Sequence, residues 1–171
     1  MILWDVDTQV DFMLPEGKLY VPGAEEMIPA MRRLVAAARA AGVVHVASAD
    51  DHELTDPEIS DAPDFLNTYP PHCLRGTRGA AKIAETEQAD PLPLSLTPYP
   101  PGLVSGLVRD RREILLLKKS FDVFTNPNTE ALLAALDPDE IAVFGVATDV
   151  CDEAAIRGFL ARGRTVSFVE D

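Results

Sequence analysis

Short apolar runs rich in β-branched residues alternate along this chain with longer segments in which apolar residues recur every three or four positions. The short runs are typical of buried parallel strands, and the longer segments are typical of helices that pack on a sheet. The predicted strands are 2–6, 43–49, 114–117, 141–146 and 165–169, and the predicted helices are 24–41, 128–136 and 148–161. Strands that alternate with helices form a mostly parallel sheet with helices on both faces. We therefore predict a doubly wound α/β fold.

The length and the charge of the chain limit its domain count and its partners. At 171 residues it fits a single domain, which we place at 1–171, and its 47% apolar and 25% charged residues are typical of a globular protein. Twenty-eight acidic residues against fifteen basic ones give a net charge of −13, which disfavours nucleic acid and anionic membranes as partners. The N-terminus does not resemble a signal peptide, and no apolar run reaches the ~18–20 residues that span a bilayer. With only two cysteines, these features predict a cytoplasmic protein.

Two acids, Asp5 and Asp7, lie at the end of the first predicted strand. Their spacing of two points both side chains to one face if the strand continues that far. A general base, a metal anchor and solvated loop carboxylates all remain open for this pair. The segment 5–8 is also similar to the DxD opening of haloacid-dehalogenase-type phosphatases, but Gln9 stands where those enzymes have threonine.

The second candidate group centres on Cys151, which follows the segment 145–150 at a turn from a strand into a helix. The helix dipole and the free N–H groups at such a turn favour a thiolate and can hold an oxyanion. Asp7 and Lys118 end neighbouring strands of the same predicted sheet, so a carboxylate base, a cation and a thiol could form a nucleophile set. A small cysteine that only packs the first helical turn is the alternative.

Asp50 and His52 follow the second predicted strand, and His72 comes twenty residues later in a proline-rich segment. Nine of the fourteen prolines lie in this segment, 57–101, and a long irregular stretch in a compact domain is usually functional or disordered. An Asp and two His on such a loop could share a metal ion, although lone histidines are more often capped or solvated. His45, inside the second strand, is interpreted as structural.

Four segments then carry a family resemblance. They are DTQVDF at 7–12, YPPHCLRGT at 69–77, KKSFDVF at 118–124 and GVATDVC at 145–151. In this order they resemble the motifs of the isochorismatase-like cysteine hydrolases, and within these most closely those of the nicotinamidases. The resemblance covers essentially the whole chain and implies a Rossmann-like, three-layer fold.

The resemblance also implies a reaction. Asp7 would be the catalytic base, Lys118 would favour the anionic state, and Cys151 would attack an amide carbonyl. The N–H groups of Ala147 and Cys151 would hold the oxyanion, next to a cis peptide between Val146 and Ala147. Ammonia leaves, and water then hydrolyses the thioester on Cys151.

Further assignments follow from the same resemblance. Substrate contacts would come from Phe12, Tyr69 and Val146, with Tyr69 in a position that relatives fill with tryptophan. The substrate would be a small planar amide, first of all nicotinamide, and the protein would form a homo-oligomer. Relatives continue where this chain stops at Asp171, so we expect a C-terminal tail to be missing.

Nicotinamidases hold a metal, often zinc, through one Asp and three His. Asp50, His52 and His72 fit three of these positions, and the fourth falls near Glu58, with Asp56 close by. We expect one divalent ion, with zinc first; a carboxylate as fourth ligand would shift the preference toward manganese, iron or magnesium.

Asp152 stands where relatives usually have an apolar residue, directly after the proposed nucleophile. A negative charge at this position would raise the pKa of the thiol.

Three hypotheses remain open at this point. The first is a nicotinamidase-like amidohydrolase. The second is a metal-independent hydrolase of a carbamoyl, ureido or biuret-type amide. The third is a catalytically silent family fold that serves as a ligand-binding or assembly subunit.

Overall fold

The computed structural model describes residues 1–170. Within that range the chain forms six strands and five α-helices. The strands are β1 (Ile2–Val6), β2 (Val44–Asp50), β3 (Leu92–Leu94), β4 (Glu113–Lys118), β5 (Glu140–Gly145) and β6 (Thr165–Phe168). The helices are α1 (Val10–Met13), α2 (Ala24–Ala40), α3 (Pro101–Val108), α4 (Thr129–Leu136) and α5 (Glu153–Ala161).

The strands form one sheet in the order β3-β4-β2-β1-β5-β6, and every neighbouring pair is parallel. From β1 the chain adds β2, then the edge strand β3, and then β4 between β2 and β3, before it returns to add β5 and β6 on the other side of β1. The strand order therefore reverses at β1, and a crevice opens at the carboxyl end of such a switch point. The predicted doubly wound α/β fold is confirmed.

The two faces of the sheet bury separate hydrophobic cores. On one face Trp4 of β1 is fully buried, and its ring meets Phe159 of α5 edge-on at 4.7 Å. On the other face Leu3 packs with Met31 and Val35 of α2. The alternation of side chains along each strand explains why residues adjacent in sequence enter different cores.

The proline-rich segment contributes two elements that periodicity did not predict. Pro93 lies in β3, a three-residue strand at the sheet edge, where the missing N–H of proline costs no internal ladder bond. Pro101 begins α3, where its fixed φ suits the first helical position.

Among the described residues, no helix is both long enough and apolar enough to cross a lipid bilayer.

Gly145 fixes how β5 approaches β1. Its φ is +149°, and a Cβ at this position would lie 2.1 Å from the carbonyl oxygen of Val6. A side chain is therefore excluded by β1 itself. This close approach brings the turn after β5 against the end of β1, where the candidate site lies.

Candidate active site

Four strand ends bring the candidate catalytic residues to the same edge of the sheet. Asp7 follows β1, Asp50 ends β2, Lys118 ends β4, and Cys151 lies in the turn after β5. All four side chains are buried. Because the carboxyl ends of parallel strands meet at one edge, residues far apart in sequence become neighbours.

Lys118 is the charged centre of this group. Its Nζ lies 2.8 Å from Asp7 Oδ2, 2.5 Å from Asp50 Oδ1 and 4.0 Å from Cys151 Sγ. Burial opposes the ammonium, but Asp50 and Asp7 outweigh it and raise the pKa of Lys118 well above its usual value. Lys118 is therefore a permanent cation beside the thiol.

The thiol itself is neutral at rest. Burial raises the pKa of Cys151 well above its usual value; the charge of Lys118 opposes this effect, and the charges of Asp7 and Asp50 reinforce it. The sequence had favoured a thiolate at this turn, and the structure corrects that expectation because burial outweighs the cation. Burial also raises the pKa of Asp7, although Lys118 opposes it, which makes this carboxylate a better proton acceptor.

Asp5 and Asp7 do not share a face. Asp5 turns to the α2 side of the sheet, where it accepts hydrogen bonds from Thr8 Oγ1 at 2.8 Å and Lys82 Nζ at 2.9 Å. Asp7 lies beyond the end of β1 with a φ of +51°, so the alternation that would have aligned the two acids stops at Val6. Only Asp7 belongs to the candidate site.

Asp50, His52 and His72 form a buried cluster whose ligand atoms all lie within 4.8 Å of one another. Asp50 Oδ2 is 3.8 Å from His52 Nε2 and 3.7 Å from His72 Nε2. His72 Nδ1 lies 2.8 Å from the carbonyl oxygen of Pro70, a contact that leaves Nε2 free to face Asp50. Both ring nitrogens of His52 are buried without a hydrogen-bond partner among residues 1–170. A buried imidazole of this kind fits metal coordination.

Charges around the cluster reinforce this geometry. Burial alone would raise the pKa of Asp50, but Lys118 and the two histidines hold it well below its usual range. Burial would lower the pKa of His52, and Asp50 outweighs burial and raises it. Asp50 is therefore an anion shared between the lysine and the histidines.

The resemblance placed two further carboxylates, Asp56 and Glu58, near the fourth metal position. Among the described residues, neither belongs to the cluster of Asp50, His52 and His72. Asp56 pairs with Lys119 at 2.7 Å, and its Oδ2 lies 3.5 Å from His52 Nδ1 without a hydrogen bond between them. Glu58 is buried, and burial and the charge of Asp50 raise its pKa. Glu58 as a direct or water-mediated fourth ligand stays a prediction.

A cavity of about 200 Å³ opens over Cys151, Asp50 and His72. Its aromatic wall consists of Phe12, Tyr20, Phe65, Tyr69 and Phe121. The structure thus places Phe12 and Tyr69 in the pocket, as the resemblance implied.

Val146 lies elsewhere. Its side chain is buried with Phe144 on the α2 side of the sheet, since the two residues alternate to the same face. It lines a different cavity, between α2 and the end of β5. Val146 is therefore not retained as a substrate contact.

The turn between β5 and α5 is where the resemblance places the oxyanion site. The peptide between Val146 and Ala147 is cis, as the resemblance implied. The carbonyl oxygen of Ala147 accepts from the N–H groups of Val150 and Asp152, both at 3.1 Å. The N–H of Ala147 donates to no acceptor within residues 1–170, and Ala147 lines the pocket. The N–H of Cys151 as a second donor stays a prediction.

Asp152 is fully buried, and neither carboxylate oxygen has a hydrogen-bond partner among the described residues. Burial, reinforced by Asp7 and Asp5 against Lys82 and Lys118, raises its pKa to about 8. The carboxyl group is therefore mostly protonated at pH 7. The negative charge that was expected to raise the thiol pKa is mostly absent at that pH.

The comparison with protein families agrees with this geometry. A family model described as the isochorismatase domain matches residues 2–171. The chain belongs to the isochorismatase family. Among curated proteins, no sequence match was found.

Solved structures with the isochorismatase fold match nearly the whole chain. The N-carbamoylsarcosine amidase of Thermoplasma acidophilum is 21% identical with a TM-score of 0.74, over 98% of this chain and 80% of that one. The pyrazinamidase of Pyrococcus horikoshii, solved in complex with zinc, is 21% identical with a TM-score of 0.74, over 98% and 82%. A nicotinamidase from Bacillus subtilis is 18% identical with a TM-score of 0.73, over 98% and 82%. At these identities the matches show the fold.

Two positioning residues of this isochorismatase site, Gln9 and Ser48, had no role assigned from the sequence. Gln9 is buried; its Nε2 donates to the carbonyl oxygens of Asp50 and Ala80, both at 2.8 Å, and its Oε1 accepts from Asp50 N at 2.7 Å. Ser48 Oγ donates to Asp7 Oδ1 at 2.8 Å. Both could have been recognised in the sequence, because each is a polar residue beside or within a run of apolar residues. A polar side chain that is buried in such a run needs a hydrogen-bond partner.

Proposed function

We propose that this isochorismatase-family hydrolase is a cysteine-dependent amidohydrolase that releases ammonia from a small planar amide. Nicotinamide is the first candidate substrate, with nicotinate as the product. The observation that carries the proposal is the convergence of Asp7, Lys118 and Cys151 behind one wall of an aromatic pocket. A thiol, a proton acceptor and a fixed cation are the parts that nucleophilic amide hydrolysis needs.

In the first half-reaction Cys151 Sγ attacks the amide carbonyl while its proton moves to Asp7. Lys118, 4.0 Å from the sulfur, stabilises the negative charge that develops there, and the free N–H of Ala147 faces the oxyanion. When the C–N bond breaks, Asp7 returns the proton to the leaving nitrogen. Ammonia departs, and the acyl group remains on Cys151 as a thioester.

In the second half-reaction Asp7 takes a proton from a water molecule that attacks the thioester. The C–S bond breaks, the acid leaves, and the proton on Asp7 returns to Cys151. Asp7 therefore acts twice as base and twice as acid. The hydrogen bond from Ser48 and the ion pair with Lys118 hold its carboxylate in place for each transfer.

Asp50, His52 and His72 would hold the divalent ion. Asp50 and His72 also line the pocket, so the ion would supply a coordination position for a ring nitrogen of the substrate or for water. One carboxylate and two imidazoles suit zinc first, and manganese, iron or magnesium next.

The pocket favours an uncharged planar substrate. Its volume of about 200 Å³ and its five phenylalanine and tyrosine side chains fit a single ring, and within the described residues its wall contains no lysine or arginine. N-carbamoylsarcosine carries a carboxylate, and this wall offers that group no cationic side chain. The complete nucleophile set also supports an enzyme over a silent binding subunit.

Ammonia release tests the proposal directly. Nicotinamide, pyrazinamide and small ureido compounds would be offered to the protein as purified, after chelation, and after zinc is restored. Turnover of nicotinamide that is lost with chelator and restored by zinc supports the proposal. Turnover of ureido compounds that is insensitive to chelator favours the metal-independent alternative. The absence of ammonia from every amide contradicts both.

A further inference from the structure

A second cavity, of about 410 Å³, adjoins the proposed substrate pocket. The two cavities share Phe65, Tyr69, Phe121 and Val150 as lining residues. The steps proposed above take place in the inner pocket and make no use of the outer one. A ligand that enters the inner pocket therefore has a continuous aromatic wall leading outward.

The outer cavity has an unusually exposed apolar rim. Phe65 is 61% exposed and Leu66 is 76% exposed, and Phe121 stands beside them at 37%. Single exposed apolar residues are ordinary, but a contiguous group at the mouth of a cavity usually marks a binding surface.

The backbone holds Phe65 in this exposed position. Its φ is +56°, a left-handed conformation that is uncommon for a bulky residue. Asp64 stabilises it, since Asp64 Oδ1 accepts from the N–H groups of Leu66, Asn67 and Thr68 at 2.8–2.9 Å. The ring then meets Tyr69 edge-on, with 6.4 Å between centroids. The loop thus presents an aromatic ring toward the cavity instead of burying it.

The charges of the outer cavity select the kind of group that it would accept. Asp149 and Glu153 both line it. Its one guanidinium within the described residues, that of Arg157, already pairs with Glu153 at 2.6 Å. The surface is therefore apolar with an acidic border, which disfavours carboxylates and phosphates.

We propose that Phe65, Tyr69 and Phe121 form an outer aromatic subsite that binds an uncharged aryl substituent on the substrate ring. The inference rests on the proposed amidohydrolase function and extends it. The preferred substrates are planar amides that carry a second apolar ring, rather than single-ring amides alone. Phe65 is then a specificity-determining residue and takes no part in the bond changes.

The test measures binding, so that it does not depend on turnover. Nicotinamide, 5-phenylnicotinamide and 5-carboxynicotinamide would be titrated by calorimetry into zinc-loaded Cys151→Ala protein. The phenyl compound should bind roughly five- to ten-fold more tightly than nicotinamide, as expected for one or two aromatic contacts, and the carboxylate more weakly. Phe65→Ala in this background should remove the advantage of the phenyl group, and Phe65→Tyr should keep it.

Leu54→Ala is the matched control, because Leu54 is 67% exposed and lines neither cavity. It should leave the ratio of the two dissociation constants unchanged. Equal affinities for the two neutral amides, equal ratios in the Phe65 and Leu54 variants, or no binding of either amide would overturn the subsite. If the phenyl preference is present but wild-type protein releases no ammonia, the subsite stands and the proposed hydrolysis fails.

Discussion

Replacing Asp152 by Asn tests whether this buried carboxyl group is neutral in the folded protein. Asn has nearly the same shape and cannot ionise. Asp152 has a pKa of about 8 in the folded protein against 3.8 for an ordinary aspartate, so the folded state holds its proton more tightly than the unfolded state. The stability contributed by this proton is fully present below pH 4 and is lost as the pH rises toward 8.

The magnitude follows from the two pKa values. Each unit of difference corresponds to about 1.36 kcal/mol. Between the two pKa values, the stabilisation that the Asp152 proton contributes falls by about 5 to 6 kcal/mol. About 3 to 4 kcal/mol of this loss lies between pH 5 and pH 8. The free energy of unfolding of Asp152→Asn, relative to wild type, should therefore rise by about 3 to 4 kcal/mol across that interval.

Urea unfolding at half-unit steps between pH 5 and pH 8 measures this difference. A buried Asn amide without a partner lowers the free energy of unfolding by the same amount at every pH. The test is therefore how the difference in unfolding free energy between variant and wild type changes with pH, and not its absolute value. Asp139→Asn is the control, because Asp139 is exposed and its substitution should give a flat difference.

A flat difference for Asp152→Asn as well would refute the reasoning. It would mean that Asp152 is ionised in the folded protein at neutral pH, and that Lys82 or water compensates its charge. The original expectation, that Asp152 raises the pKa of the thiol by its charge, would then apply at neutral pH.

Three further predictions concern the site. After a quench with slow substrate, mass spectrometry should find an acyl adduct in wild type and in Cys73→Ala but none in Cys151→Ala; an adduct on Cys73 would contradict the assignment. Gln9→Ala leaves backbone groups at the end of β2 without their partners and should lower the free energy of unfolding by about 2 to 4 kcal/mol; an unchanged urea midpoint would show that water replaces the side chain. His52→Ala should retain little zinc after dialysis, whereas wild type and His45→Ala should keep about one equivalent by elemental analysis; full retention by His52→Ala would exclude it as a ligand.

The fold was predictable because long patterns of apolar residues specify most of its strands and helices. The run at Ile2–Val6 and the helical pattern from Ala24 were each predicted to within one residue of the observed elements. The short strand Leu92–Leu94 was not, since three residues that include a proline carry no usable period. Its pairing with β4 is a tertiary contact that no local pattern contains.

Within the site, the residues expected at strand ends meet in space, and the cis peptide that the resemblance implied is present. Asp7, Lys118 and Cys151 meet as the sequence indicated. The role of Asp5 was left open on its spacing to Asp7, and Val146 was a substrate contact by resemblance; the side chains of both lie on the α2 face of the sheet.

The pKa of the thiol was the least predictable property from the sequence. It depends on how the effect of burial compares with the effects of the nearby charges, and the sequence does not show how deeply Cys151 is buried. A helix end and a lysine beside a cysteine favour the thiolate when water is present. Here Lys118 is already shared between Asp7 and Asp50, so its charge is largely compensated before it acts on the sulfur. Burial then keeps the proton on Cys151. In the proposed reaction the thiol would therefore transfer its proton to Asp7 and would not act as a preformed thiolate, because the two carboxylates that hold the lysine in place also offset its charge.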